Sequence, residues 1–246
     1  MSLDNVSLDA AQVASILARV AQARPRIHCL TNTVAQNITA NMLLAFGAVP
    51  SMASHPEEVA AVAGGAGAIL INLGTISPEG ERAIPKLLDV ARQRAIPLVL
   101  DPVFVELSPL RLRLAEEVLR LPDVTVRGNA TEMAALDGVM SGADSVLRVT
   151  TGKVDRIESD RRVLTVGHGH ELMTKVTGLG CASSALVAAC RAVEPEADIA
   201  AAAALTAYGI AGEIAAERAQ GPGSFATHLI DALAGLDGAT LAARMA

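Results

Sequence analysis

Lys175-Val176-Thr177-Gly178-Leu179-Gly180-Cys181 runs straight into a helical pattern of small residues at 182–193. Glycines let a backbone turn its amides toward a bound anion, and a helix start adds free N–H groups and a partial positive charge. Such a turn suits a phosphoryl group in transfer, whose charge is spread over its oxygens. It is not a Walker A loop, because no Gly-Lys-Ser/Thr ends it. At a helix start Cys181 is expected to have a depressed thiol pKa, fitting it to sit beside a substrate hydroxyl as base or positioning group. A bland reading stands beside this one. A Gly-x-Gly turn before a helix is often plain structure, and a lone cysteine is often a small buried hydrophobe.

Polar residues also follow short apolar runs at Thr31-Asn32, Asn72-Leu73-Gly74-Thr75, Asp101-Pro102, Arg127-Gly128-Asn129 and Thr150-Thr151-Gly152. In open α/β sheets, ligands collect beyond the carboxyl ends of the parallel strands. Arg127, directly after an apolar run, must face a cleft or a partner. Asn129-Ala130-Thr131-Glu132 reads as a capping box. It also reads as one of two carboxylates, with Asp101, near a magnesium ion, which takes only one or two carboxylates; both readings can hold. His168 and His170, at i and i+2, would share a strand face, but no third ligand lies at a recognisable spacing, so they read as surface histidines or as histidines one layer behind a site. There is no Gly-x-Ser-x-Gly nucleophile elbow.

Residues 27–55 carry no formal charge if their histidines are neutral, yet hold Asn32, Asn37, Asn41, Thr31, Thr33 and Thr39. A pocket so lined suits a neutral, hydrogen-bonding small molecule, with Met52 as a soft apolar contact for a flat ring. An asparagine-rich core helix is the alternative.

These residues need a frame. Strands are expected at 27–30, 68–73, 98–100, 124–126 and 146–149, and helices at 9–23, 36–46, 56–63, 78–94, 109–120 and 131–136. Ser77-Pro78 and Ser108-Pro109 each set an N-cap before a proline at the first helical position, and Gly47 stops the helix before it. The alternation implies right-handed crossovers and a mainly parallel sheet. Residues 154–157 and 163–166 flank Ser159-Asp160-Arg161 as an antiparallel hairpin at a sheet edge. From Cys181 the chain is helical up to a Gly221-Pro222-Gly223 break and a last helix. With no linker or repeat, residues 1–246 read as one domain.

Composition narrows the function. With 51% hydrophobic and 19% charged residues the chain can bury a large core. A net charge of −6 and few aromatics give no footprint for nucleic acid or anionic lipid. The uncharged stretch 59–78 is broken by glycines and Asn72 and reads as helix end, turn and strand rather than a membrane span. Three cysteines without a CxxC pair, and no leader segment, point to the cytoplasm.

Taken in order, the motifs resemble the hydroxyethylthiazole kinase family of the ribokinase-like superfamily. They are His28-Cys29-Leu30-Thr31-Asn32 with Asn37 and Ala40-Asn41; Gly47-Ala48-Val49-Pro50-Ser51-Met52; Asn72-Leu73-Gly74-Thr75; and Leu100-Asp101-Pro102-Val103. Then come Arg127-Gly128-Asn129-Ala130-Thr131-Glu132, Thr151-Gly152-Lys153-Val154-Asp155, Gly169-His170 through Cys181, and Gly221-Pro222-Gly223-Ser224-Phe225. The resemblance implies a three-layer ribokinase-like α/β fold, with a mainly parallel central sheet flanked by helices. It implies ATP-dependent phosphorylation of 4-methyl-5-(2-hydroxyethyl)thiazole with Mg²⁺ in thiamine salvage, by a homotrimer with active sites at subunit boundaries. It places Met52 and Gly178 on the thiazole, Arg127 and Thr151 on ATP, Cys181 at the base position, and Asp101 and Glu132 near metal and phosphates.

Two features depart from the family. Asp101-Pro102-Val103 continues with Phe104-Val105-Glu106 where a glycine-rich turn is usual, and only residues 133–150 separate Glu132 from Thr151, about one helix fewer than usual. Phosphorylation of another small alcohol, such as a pyrimidine or vitamin precursor, and thiazole binding without catalysis remain as alternatives.

Overall fold

The computed structural model describes residues 5–6, 8–141 and 146–246. Its strands are β1 (Asn5–Val6), β2 (Arg26–Leu30), β3 (Val49–Ser51), β4 (Ala68–Asn72), β5 (Leu98–Asp101), β6 (Val124–Asn129), β7 (Val146–Thr151), β8 (Asp155–Glu158) and β9 (Val163–Val166). They form one sheet in the order β1-β9-β8-β7-β6-β5-β4-β2-β3. Pairing is parallel from β3 across to β7, and β7-β8-β9 is the antiparallel extension expected from the hairpin pattern.

The helices are α1 (Ala10–Ala23), α2 (Gln36–Ala45), α3 (Val59–Ala63), α4 (Pro78–Arg94), α5 (Pro109–Leu119), α6 (Ala130–Met140), α7 (Leu179–Arg191), α8 (Ala197–Arg218), α9 (Pro222–Ala234) and α10 (Gly238–Arg244). Their buried faces separate into two cores. Leu70 and Val99 pack with α1, α2, α7, α8, α9 and α10. Ile69, Ile71, Leu98 and Leu100, their neighbours along the same strands, pack with α3, α4, α5 and α6. Successive strand residues point to opposite faces, so a continuous apolar run such as Ala68-Ile69-Leu70-Ile71 fills both layers at once. The architecture is the three-layer α/β sandwich expected.

With so few aromatics, close packing of small residues fills the core. Ala200 to Ala204, Ala207, Ala211 and Ala215 are all buried on α8, which lies against α7 and α9. By length and composition alone α8 could cross a membrane, but most of it is enclosed by the rest of the protein.

Local signals fixed the helix ends well where caps exist. Asp9, Ser77 and Ser108 cap α1, α4 and α5 through their side chains. The helix expected at 56–63 begins later, at Val59, because Pro56 lies in the turn before it. The helix expected at 131–136 runs on to Met140, and the short connection to β7 is made by α6. β1 and β3 have no counterpart among the expected strands. β3 carries Pro50, which lacks an N–H, and it lies at the sheet edge, where proline is tolerated.

The strand order changes direction at β2. The chain leaves β2 through α2 toward β3 on the outside, whereas β4 leads through α4 toward β5. The connections after β2 and β4 therefore diverge, and the crevice between them at the carboxyl end is where ligands of such sheets bind.

Candidate active site

The glycine-cysteine segment is the first turn of a helix, one turn earlier than the sequence suggested. α7 starts at Leu179, with Gly178 as its cap at φ +86° and no side chain capping it. A Cβ on Gly178 would meet Ile38 Cγ2 at 2.9 Å, so both the backbone angle and the packing against α2 require glycine. The first backbone bond of the helix runs from Ala182 N to Gly178 O, 2.9 Å. The N–H groups of Leu179, Gly180 and Cys181 precede it, without intrahelical acceptors, at the positive end of the helix dipole. Tyr208 on α8 donates to Leu179 O at 3.1 Å and anchors this turn from behind.

Beneath it, the crevice between β2 and β4 is closed by amides. Asn32 Nδ2 donates to Asn72 Oδ1 at 3.1 Å and approaches Cys181 Sγ at 3.5 Å. On the next strand, Asp101 is buried, and Ser184 Oγ donates to its Oδ2 at 2.9 Å. Burial pushes the Asp101 carboxyl toward its protonated form; Arg127 and Ser184 oppose this, and Glu132 adds to it.

The expected depression of the Cys181 thiol does not occur. Burial raises its pKa, and the nearby Asp101 carboxylate raises it further, outweighing Asn72, Asn32 and Arg127. A helix start lowers a thiol pKa only where desolvation is modest. Here the sulfur is enclosed by its own site, so at neutral pH it is a thiol that can donate and position.

Arg127, at the end of β6, reaches across to α7 and donates to Gly180 O at 3.0 Å, leaving its buried Nε without a partner. Its charge acts on Asp101, Asp155 and Cys181, making it the cationic centre of the site. Thr151, at the end of β7, donates to Gly128 O at 3.2 Å and ties the two strand ends together. Gly152 N–H donates to Asp155 Oδ1 at 2.9 Å in the turn beyond.

Asn129 and Glu132 do form a capping box. Asn129 Oδ1 accepts from Thr131 N and Glu132 N at 2.8 and 3.0 Å, and Glu132 Oε2 accepts from Asn129 N at 2.8 Å. The other carboxylate oxygen, Oε1, accepts from Phe104 N at 2.8 Å, so Glu132 also braces the turn after β5. In that turn Val103 and Phe104 both take positive φ, 25° and 52°.

The strand ends thus gather Asp101, Arg127, Glu132, Thr151, Gly178 and Cys181. Met52 follows β3, at the same end of the sheet but on its edge, partly buried against the α2 core layer. His168 is engaged by Glu213 at 3.1 Å, away from metal chemistry. Asn32 and Asn72, expected among the polar strand endings, belong to the site, and Ser184, which the sequence did not single out, joins them. Ser184 was within reach of sequence reasoning, since it lies one helical turn beyond Cys181 and shares its face.

No group of three His, Cys, Asp or Glu among the described residues could hold a metal on its own. Glu132 lies close enough to Asp101 to raise the proton affinity of the Asp101 carboxyl, and the pair fits an ion held mostly by phosphates and water.

The model of the hydroxyethylthiazole kinase family matches residues 17–147 and 140–238, two stretches that overlap at 140–147. A probable hydroxyethylthiazole kinase of Agrobacterium fabrum is 42% identical over 229 residues, covering 93% of this chain and 92% of that protein. Among solved structures, hydroxyethylthiazole kinase from Pyrococcus horikoshii superposes with a TM-score of 0.86 at 36% identity, covering 92% of this chain and 93% of that one. A ribokinase-like superfamily protein from Enterococcus faecalis, at 12% identity and a TM-score of 0.65 over 92% and 94% of the two chains, shares the fold. By motif, fold and sequence, the chain belongs to the hydroxyethylthiazole kinase family.

Proposed function

We propose that this protein transfers the γ-phosphoryl group of ATP to the hydroxyl of 4-methyl-5-(2-hydroxyethyl)thiazole in thiamine salvage. The observation that carries the reading is the meeting of the free N–H groups of α7 with Arg127, above Asp101 and Cys181, at the strand ends. Preorganised donors there match the charge that spreads over a phosphoryl group in transfer.

In this reading Met52 and Gly178 hold the thiazole, and Arg127 and Thr151 hold ATP. Asp101 and Glu132 hold Mg²⁺, whose contribution when bound is to neutralise phosphate charge. The α7 amides receive the transferring oxygens. Cys181, a thiol at neutral pH, positions the substrate hydroxyl. As the bond from the γ-phosphorus to ADP breaks, the bond to that hydroxyl oxygen forms, and its proton passes to the Cys181 sulfur as the thiol hands its own proton to the Asp101 carboxylate. The transition state is loose, so little prior deprotonation is needed.

The chain acts as one kinase domain over 1–246, in the cytoplasm, assembled as a homotrimer.

The test is an ADP-release assay with the thiazole alcohol and ATP, with and without Mg²⁺. Turnover only with the ion is expected. Turnover of another alcohol but not of the thiazole overturns the substrate assignment, and thiazole binding without turnover overturns the catalytic one.

A further inference from the structure

Asn72 closes β4 at the point where the sheet changes direction, and it is 1% exposed. Its Oδ1 accepts from Gly74 N and from Asn32 Nδ2, both at 3.1 Å. A backbone N–H can only donate, so the carboxamide has one allowed orientation: Oδ1 toward Gly74, Nδ2 away from it. Only glycine at 74 permits this, since a Cβ there would meet Asn32 Nδ2 at 2.9 Å and Asn72 Oδ1 at 3.0 Å.

Nδ2 is wholly buried and has no partner at full hydrogen-bond geometry. Leaving a buried donor unsatisfied costs about 1–3 kcal/mol, and such groups call for an explanation. The groups it faces are the Asp101 carboxyl and the Cys181 sulfur, and it holds down the proton affinity of both without aligning fully to either. Hydrogen bonds in empty active sites are often long and tighten when substrate binds.

We propose that Asn72 is a positioning residue for phosphoryl transfer: once substrate is bound, its Nδ2 hydrogens bridge the Asp101 carboxylate and the Cys181 sulfur and keep both aimed at the accepting hydroxyl. This rests on the kinase reading above. It assigns the amide two separable duties, an acceptor that shapes the turn and a donor that serves the reaction.

Asn72→Asp separates them, because the carboxylate still accepts from Gly74 and Asn32 but no longer donates. We expect kcat to fall about 100-fold, with KM for the alcohol and for ATP held within about threefold; the carboxylate buried beside Asp101 also lowers the unfolding temperature, so the kcat against KM split is the readout. Asn72→Ala, which loses both duties, should fall as far in kcat and also unfold at lower temperature. Wild-type kcat in Asn72→Asp overturns the proposal, since the acceptor alone then suffices. Should that variant fail to fold, Asn72→Ser, which adds no charge, is read by the same criterion. A wild-type enzyme that turns over a different alcohol refutes the substrate assignment instead, and the same comparison is then made on that alcohol.

Discussion

Phe104 N–H and Asn129 N–H donate to the two oxygens of one carboxylate, Glu132, each at 2.8 Å. A side chain that caps α6 therefore also fixes the turn after β5, and the substituted turn and the proposed metal side of the site share one strut. Glu132→Gln tests this. The amide has a single acceptor oxygen, so one of the two backbone donors would face an N–H₂ group. Leaving a buried donor unpaired costs about 1–3 kcal/mol. Urea unfolding should show a loss in that range, together with reduced kcat. A stability change under roughly 0.5 kcal/mol, the size expected of neutral surface substitutions, would show that the strut carries no weight.

Cys181 stays protonated at neutral pH. Because burial and Asp101 raise its pKa above the ordinary 9.0, the reactive thiolate is scarce at neutral pH and grows only in alkaline solution. Alkylation by iodoacetamide should be slow at pH 7 and accelerate above pH 9, followed as mass added at this cysteine. Cys181→Ala should lose rate, by no more than the roughly 10²–10⁴-fold span of general acid–base effects, whereas Cys181→Asp should stay active. Rapid alkylation below pH 8 would restore the activated-thiolate picture that the helix start alone suggested.

That correction shows where sequence reasoning reaches its limit. The layered sheet was legible because buried parallel strands write themselves as apolar runs, and because Ser77-Pro78 and Ser108-Pro109 are chemical stop signs between them. The site was legible as a set of strand endings, since polar groups such as Asp101 and Arg127 have no other reason to follow such runs. Tertiary contact decided the rest. The α7 start at Leu179 is set by packing of Gly178 on Ile38 and by Tyr208, not by the weak helix propensity of Leu-Gly-Cys. The Cys181 pKa is set by burial and by Asp101, a residue far away in the chain. β3 is three residues long, contains a proline, and exists because β2 offers it an edge.

The turn at Val103 and Phe104 is strained, with both residues at positive φ. A non-glycine residue in the left-handed region costs about 1–2 kcal/mol, and Phe104 recovers little of it, since the side chain is 56% exposed. Glycine costs about 0.5–1 kcal/mol of chain entropy in return. Phe104→Gly should therefore gain up to about 1 kcal/mol in denaturant unfolding. A loss larger than that would mean that the ring has a partner in solution.

His28 gives the pH dependence of stability. It is fully buried, its Nδ1 lies 3.1 Å from Ser51 Oγ, and its Nε2 has no partner. Burial lowers its pKa from 6.5 to about 4, with the Ala53 backbone opposing. Between those values the unfolded chain binds a proton that the folded protein does not, so folding stability must rise with pH across that window and be lost as pH falls through it. At about 1.4 kcal/mol per pKa unit, the full contribution is on the order of 3 kcal/mol. Carboxylates titrate over part of the same range, so the measurement is a difference: unfolding free energies of wild type and His28→Gln, compared at pH 7 and pH 4.5. The gap between the two proteins should shrink by 1 kcal/mol or more on acidification, on the order of the linkage above, because glutamine takes up no proton on unfolding. A gap that does not move with pH would mean that His28 is protonated in the fold, with its ring held by a partner acceptor at Nε2.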